Sequence, residues 1–248
     1  MMQLQKYLDS TYLKTPQQAA ITKEETLSIL KNLTDEAIEN HIFAVMIRPD
    51  FVKEIRNYLD SKNVDVKLGT VIGFPEGTFA ENEKLEEAEK AISDGADELD
   101  FVINYEAFKK GNLDLVKSEF INCTSLALKN DKIAKWIIEI AALNNEQIAD
   151  LCQKISTWAK ENFEENLLQN IFIKSSTGFY KTENGKPNGA TFEGIKIILE
   201  NSGGLPIKAA GGVKTYEDAV EMINLGVKRI GTSSAKALLE NQKSEENY

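Results

Sequence analysis

Two lysines stand where a lysine is costly. Lys174 ends the apolar run Ile171-Phe172-Ile173-Lys174, which continues into Ser175-Ser176-Thr177-Gly178. Lys208 lies in Pro206-Ile207-Lys208-Ala209-Ala210-Gly211-Gly212. In a strand, alternation puts Phe172, Lys174 and Ser176 on one face. An ammonium on such a face is expensive unless it is paired or functional. On neighbouring strands the two cations repel, so each favours the neutral form of the other, and desolvation pushes the same way. A neutral amine adds to carbonyls and forms a Schiff base. The bland alternative is that both lysines snorkel from their strand ends into water.

Asp100, in Asp97-Glu98-Leu99-Asp100-Phe101-Val102-Ile103, shares a face with Glu98 and Val102. A carboxylate this deep in a strand either pairs with a lysine or moves protons. Asp9, at the end of the first strand, is a weaker candidate that could equally be a helix or turn cap, and Lys14 is weaker still. Glu139 is a further lysine partner by type, catalytic or structural. Three glycine-containing stretches follow the later strands: Ser176-Thr177-Gly178, Gly211-Gly212 and Gly231-Thr232-Ser233-Ser234. Backbone amides exposed by glycine can cradle a phosphate, and the alternative is ordinary turns with serine as a cap. Asn188-Gly189-Ala190-Thr191 reads as a turn and a helix cap. Trp136 and Trp158 read as core. Cys123 and Cys152 read as inert packing residues, and His41 as a solvated residue at a helix end.

Eight short apolar runs must position these groups: residues 4–9, 42–47, 64–72, 98–103, 135–140, 171–175, 205–209 and 229–231. Helical patterns alternate with them at 22–40, 50–60, 84–93, 113–129, 145–161, 192–201, 216–224 and 235–241. Thr22 with Glu25 three residues later is a capping-box pattern. Eight units of roughly 30 residues suit a (β/α)8 TIM barrel of class α/β. The expected arrangement is one catalytic domain over 1–248, ending in a polar tail at 241–248. A doubly wound sheet is the rival, but GxGxxG after the first strand is absent. Both lysines are then expected near the C-terminal ends of their strands, where barrels keep their chemistry.

Composition sets the outer limits. The chain has 248 residues, 42% of them hydrophobic, which suits a folded core. Acidic residues outnumber basic ones by 39 to 29, for a net charge of -10. That balance disfavours nucleic acid and acidic membranes as partners, while leaving room for a local anion pocket. No stretch approaches the length of a membrane span, and the first residues lack an apolar leader core. A cytoplasmic location is expected. A single histidine gives no support to a Cys/His zinc cluster or a Ser-His-Asp triad.

Taken in order, the motifs resemble the deoxyribose-phosphate aldolase family, class I aldolases built on a (β/α)8 barrel. The residues carrying the resemblance run nearly the whole length. They are Leu8-Asp9-Ser10-Thr11-Tyr12-Leu13-Lys14, Thr70-Val71-Ile72-Gly73-Phe74-Pro75, Gly95-Ala96-Asp97-Glu98-Leu99-Asp100, Ile137-Ile138-Glu139, Phe172-Ile173-Lys174-Ser175-Ser176-Thr177-Gly178-Phe179, Lys208-Ala209-Ala210-Gly211-Gly212-Val213 and Arg229-Ile230-Gly231-Thr232-Ser233-Ser234. The resemblance implies that Lys174 forms the Schiff base, that Lys208 keeps it deprotonated, and that Asp100 assists proton transfer through water, supported by Asp9. It implies that Gly178, Gly211, Gly212, Ser233 and Ser234 hold the substrate phosphate, and that Tyr248 reaches the site to help move the enamine proton. The implied partners are a sugar phosphate and a short aldehyde, with no cofactor or metal, and a homodimer is the default assembly. The chain departs from the commoner family pattern at Ser10, Met46, Arg48, Glu76 and Ile140. A different Schiff-base aldolase and a non-catalytic sugar-phosphate sensor are the competing expectations.

Overall fold

A computed structural model describes residues 3–183 and 185–240. Its eight strands are β1 (Leu8–Thr11), β2 (Ala44–Ile47), β3 (Lys67–Ile72), β4 (Glu98–Val102), β5 (Ile133–Ile137), β6 (Ile171–Lys174), β7 (Ile207–Ala210) and β8 (Arg229–Thr232). They pair in parallel in sequence order and close into a barrel, with β1 bonded to both β2 and β8. The helices are α1 (Pro16–Ala19), α2 (Lys23–Glu39), α3 (Val52–Lys62), α4 (Glu81–Ser93), α5 (Tyr105–Lys109), α6 (Leu113–Lys129), α7 (Asn145–Asn162), α8 (Phe192–Asn201), α9 (Tyr216–Leu225) and α10 (Ala235–Leu239). Among the described residues, no helix is long and apolar enough to cross a membrane.

Strand alternation separates two environments. Outward residues such as Phe101 and Trp136 pack against the helices. Their rings stack at 5.0 Å, Phe120 of α6 lies 5.2 Å from Trp136, and the Trp136 indole donates to Thr124 Oγ1 at 2.9 Å. Each such fully buried side chain contributes roughly 1.5–3 kcal/mol. Inward residues are different in kind: Glu98 and Asp100 of β4, Lys135 of β5, Lys174 of β6, Lys208 of β7 and Arg229 of β8 are all buried. The barrel interior near these strands is therefore ionic.

Helix starts follow the capping chemistry. Thr22 Oγ1 accepts the Glu25 N–H at 3.1 Å, while Glu25 returns the bond to the Thr22 N–H at 2.8 Å. Thr191 caps α8 through the Gly194 N–H at 3.0 Å. Several elements differ from the sequence expectation: α1 and α5 are not among the expected helices, β2 and β3 start later, and three strands differ in ways that bear on the site. Leu4–Tyr7 curl into a 3₁₀ turn, and the strand starts only at Leu8, where both β2 and β8 supply partners. β5 ends at Ile137 because Glu139 takes a left-handed conformation, φ 53°, that breaks the ladder. β7 starts after Pro206, which has no N–H to give, so Lys208 is the second residue of its strand and not near its end.

Candidate active site

The inward groups form one connected network. Asp100 Oδ2 accepts from Lys174 Nζ and from Lys208 Nζ, both at 2.8 Å, and its Oδ1 accepts from Lys135 Nζ at 2.8 Å. Lys135 also reaches Glu98 Oε2 at 2.7 Å. Lys208 Nζ lies 2.6 Å from Asp9 Oδ2. The Arg229 fork spans Asp9 and Glu98, with Nε to Asp9 Oδ1 at 2.7 Å and Nη1 to Glu98 Oε1 at 2.9 Å. Register brings these residues together: Lys174 is level with Lys208, Lys208 with Arg229, and Asp100 with Lys135.

Three carboxylates thus face four cations. Burial alone would neutralise the acids, but the surrounding ammonium and guanidinium groups win. Asp100 is held well below the usual carboxylate range by Lys135, Lys174 and Lys208, and Asp9 and Glu98 are also lowered. With one cation in excess, the ammonium whose proton is cheapest to lose is the one least compensated. That is Lys174. Burial pushes it down to about 8, the Lys208 and Lys135 charges add to the push, and Asp100 alone opposes it by direct contact. Lys208 touches two carboxylates, Asp100 and Asp9, and is raised in spite of burial. The two lysines therefore do not neutralise each other symmetrically, as the sequence suggested. Lys208 holds its charge more firmly, and Lys174 is the one that gives up its proton first as pH rises.

The other expected groups gather at the C-terminal rim. Gly178, Gly211 and Gly212 all have positive φ, at 78°, 70° and 78°. A Cβ on Gly211 would lie 3.0 Å from Gly189 Cα and 3.6 Å from Gly178 Cα, so three glycines meet where the loops after β6 and β7 touch. Asn188 Nδ2 donates to Gly178 O at 2.9 Å. Ser233 and Ser234 follow β8 on the same rim, and the Ser234 N–H bonds Thr232 Oγ1 at 3.1 Å. Among the described residues, Glu139 pairs with no lysine. Its Oε2 accepts the Thr177 N–H at 3.1 Å and the Thr177 hydroxyl, so it anchors the turn after Lys174. Ser176 Oγ is buried on that turn with no partner among the described residues. Lys14, Gly178, Phe179, Tyr180, Lys181, Thr182 and Asn188 line an open cleft of about 520 Å³ beside it. Tyr248 lies outside the described residues.

Sequence reasoning missed Lys135, Arg229 and Gly189. Lys135 sits in Ile133-Ala134-Lys135-Trp136-Ile137, the same signal that singled out Lys174. Arg229 opens its strand, where an exposed end is the default reading. Of the five departures, Ser10 is buried in β1, Met46 fills the space a Cβ on Gly69 would need, and Ile140 packs on Gly194. Glu76 is exposed. Arg48 bonds Leu13 O and Phe74 O.

The family model for DeoC/LacD family aldolases matches residues 5–239. The chain belongs to the DeoC/LacD family of aldolases. Within that family, the deoxyribose-phosphate aldolase of Thermococcus gammatolerans is 39% identical over 246 residues, 99% of each chain. That of Caldicellulosiruptor saccharolyticus is 38% identical over 240 residues, 96% of this chain and 97% of the relative. Among solved structures, the tetrameric deoxyribose phosphate aldolase of Aeropyrum pernix matches with a TM-score of 0.74 at 27% identity, over 96% of this chain and 89% of that one. As a DeoC/LacD aldolase the chain is expected to carry a Schiff-base lysine, and a buried lysine poised to lose its proton is what the barrel interior contains.

Proposed function

We propose that this protein cleaves 2-deoxy-D-ribose 5-phosphate reversibly to D-glyceraldehyde 3-phosphate and acetaldehyde through a Schiff base on Lys174. The carrying observation is the asymmetry between Lys174 and Lys208 around one Asp100 oxygen. Neutral Lys174 attacks the C1 aldehyde of the open-chain sugar, and loss of water gives a protonated imine. The imine draws electrons as the C2–C3 bond breaks. The C3 hydroxyl proton leaves, directly or through water, toward Asp100, the ionised carboxylate of the network that can accept it. Glyceraldehyde 3-phosphate departs, the enamine left on Lys174 takes a proton at carbon, and hydrolysis frees acetaldehyde.

Asp9 supports this by holding Lys208 charged. Gly178, Gly211, Gly212, Ser233 and Ser234 form the phosphate rim in this reading, and Tyr248 is the proposed carrier of the enamine proton. We read the barrel as the (β/α)8 TIM architecture within one domain, supported by the sequential strand order and the helices between strands. A homodimer in solution is proposed on the general prior for soluble enzymes, and sedimentation velocity tests it against other assemblies.

The test is acetaldehyde with borohydride, followed by peptide mass mapping. A single reduced adduct on Lys174 is expected. An intact protein that acquires no adduct there would exclude the imine mechanism. Lys174→Ala should lose essentially all turnover of deoxyribose 5-phosphate, since the neighbouring amine of Lys208 is held charged by Asp100 and Asp9. A variant turning over at the wild-type rate would exclude Lys174 as the nucleophile.

A further inference from the structure

Arg48 is one of the positions where this chain departs from the family pattern, and its side chain is unusually well connected. It leaves the end of β2 and touches three loops that do not otherwise share an element. Nε donates to Leu13 O in the loop after β1 at 2.7 Å. Nη1 donates to Phe74 O in the loop after β3 at 3.2 Å. The guanidinium carbon Cζ lies 4.6 Å from the Phe74 ring centre and 5.8 Å from that of Phe179, in the loop after β6. Phe74 and Phe179 meet edge to face at 5.1 Å. Glu76, Glu87 and Asp50 face the guanidinium and offset part of the cost of its partial burial.

The neighbours of these contacts line an open cleft on the rim beside the turn after Lys174. Lys14 follows Leu13, and Gly178 precedes Phe179; Lys14, Gly178 and Phe179 all border the cleft of about 520 Å³. An arginine can do this and a lysine cannot. A planar fork makes two directed bonds and stacks on aromatic faces at once, whereas an ammonium is a point charge on a flexible stem.

We propose that Arg48 is a positioning residue that sets phosphate selectivity: it clamps the loops after β1, β3 and β6 so that Phe179 holds Gly178 where the phosphate end of the sugar binds. The inference rests on the aldolase reading above. It acts on substrate binding and not on the imine, because the contacts reach the rim and not the ionic interior.

The test compares Arg48→Asn, Arg48→Lys and Phe179→Leu, with kcat and KM measured on 2-deoxyribose 5-phosphate and on unphosphorylated 2-deoxyribose. Both Arg48 variants should raise KM for the phosphate ester about tenfold, the loss of roughly one directed charged bond. kcat should fall much less, and the values for unphosphorylated sugar should change little, so selectivity for the ester shrinks. Arg48→Asn combined with Phe179→Leu should be no worse than the more damaging single change, because both break one coupling. A wild-type KM in Arg48→Lys would overturn the proposal in favour of charge alone. Additive effects in the double variant, or equal losses on both sugars, would overturn it as well. Acetaldehyde trapping on Lys174 separates the two readings. Trapping retained in the variants with raised KM supports the clamp, and no trapping in the wild type removes the aldolase reading without bearing on the loop coupling, which calorimetric binding of the sugar phosphate reads independently.

Discussion

Lys174 has its reactivity set by a count of partners. It shares Asp100 with two other lysines, and its pKa of about 8 lies below the ordinary lysine value. In the proposed mechanism the amine must be neutral to attack, so kcat/KM should rise with pH through about 8 as the proton leaves. Replacing Lys208 by Leu removes a positive neighbour and frees Asp100 for Lys174. Both effects raise the Lys174 pKa, so the acid limb of the profile should move to higher pH and the neutral-pH rate should fall. Asp100→Asn works with the opposite sign. It removes the charge that favours the ammonium, and the limb should move to lower pH while the maximal rate drops. A pH–rate series on the two variants checks both directions, and a common shift would contradict the network described here. The same logic extends to stability in acid. Asp9, Glu98 and Asp100 are lowered in the folded chain. Their contribution is present above an unfolded value of about 4 and is lost as pH falls through the lower folded values.

Between elements, a second buried ion pair fixes the end of β4. Lys84 of α4 reaches Glu119 of α6 at 2.7 Å and Val102 O at 2.8 Å, and the other Glu119 oxygen accepts the Asn104 N–H at 2.6 Å. Lys84→Met leaves Glu119 buried without its counter-charge, which typically costs about 3–5 kcal/mol. A fall in Tm of roughly 10 °C is expected for a chain this long, with much of it restored in the double variant Lys84→Met/Glu119→Leu. The loops make a sharper demand. A Cβ on Gly189 would fall 2.4 Å from Gly211 C, so Gly189→Ala should push the loop after β6 off the loop after β7. A raised KM for the phosphorylated substrate, with the helix content unchanged, is the expected readout. These examples show what could be read beforehand. The short apolar runs located all eight strands, and Lys174, Lys208 and Asp100 stood out because charge in an apolar run has few explanations. Lys135 carried the same signal but lay beside no glycine turn, and Arg229 opened a strand, so neither prompted a chemical reading. Gly189 was opaque for another reason. Its neighbour across the gap is 22 residues away in the chain, and local pattern carries no information on which loops touch. The curl at Leu4–Tyr7 was hidden in the same way, since an apolar run does not reveal where its partner strands stop.

The whole molecule is joined by contacts of very different reach. The Arg229 bonds to Asp9 connect residues 220 apart in sequence, and the Lys208–Asp100 bond spans 108. No sub-assembly of consecutive strands contains all of Asp9, Asp100, Lys174, Lys208 and Arg229. During refolding from denaturant, far-UV circular dichroism should therefore recover before aldol cleavage does, and a variant such as Arg229→Met should widen the gap. Simultaneous recovery of both signals would show that the ends meet first. The first and last strands of the ring are covalently farthest apart, yet it is their meeting that places Asp9 against Lys208. In the proposed mechanism, catalytic competence is thus a seal on completed synthesis: a chain truncated before β8 lacks the guanidinium that binds Asp9 and Glu98.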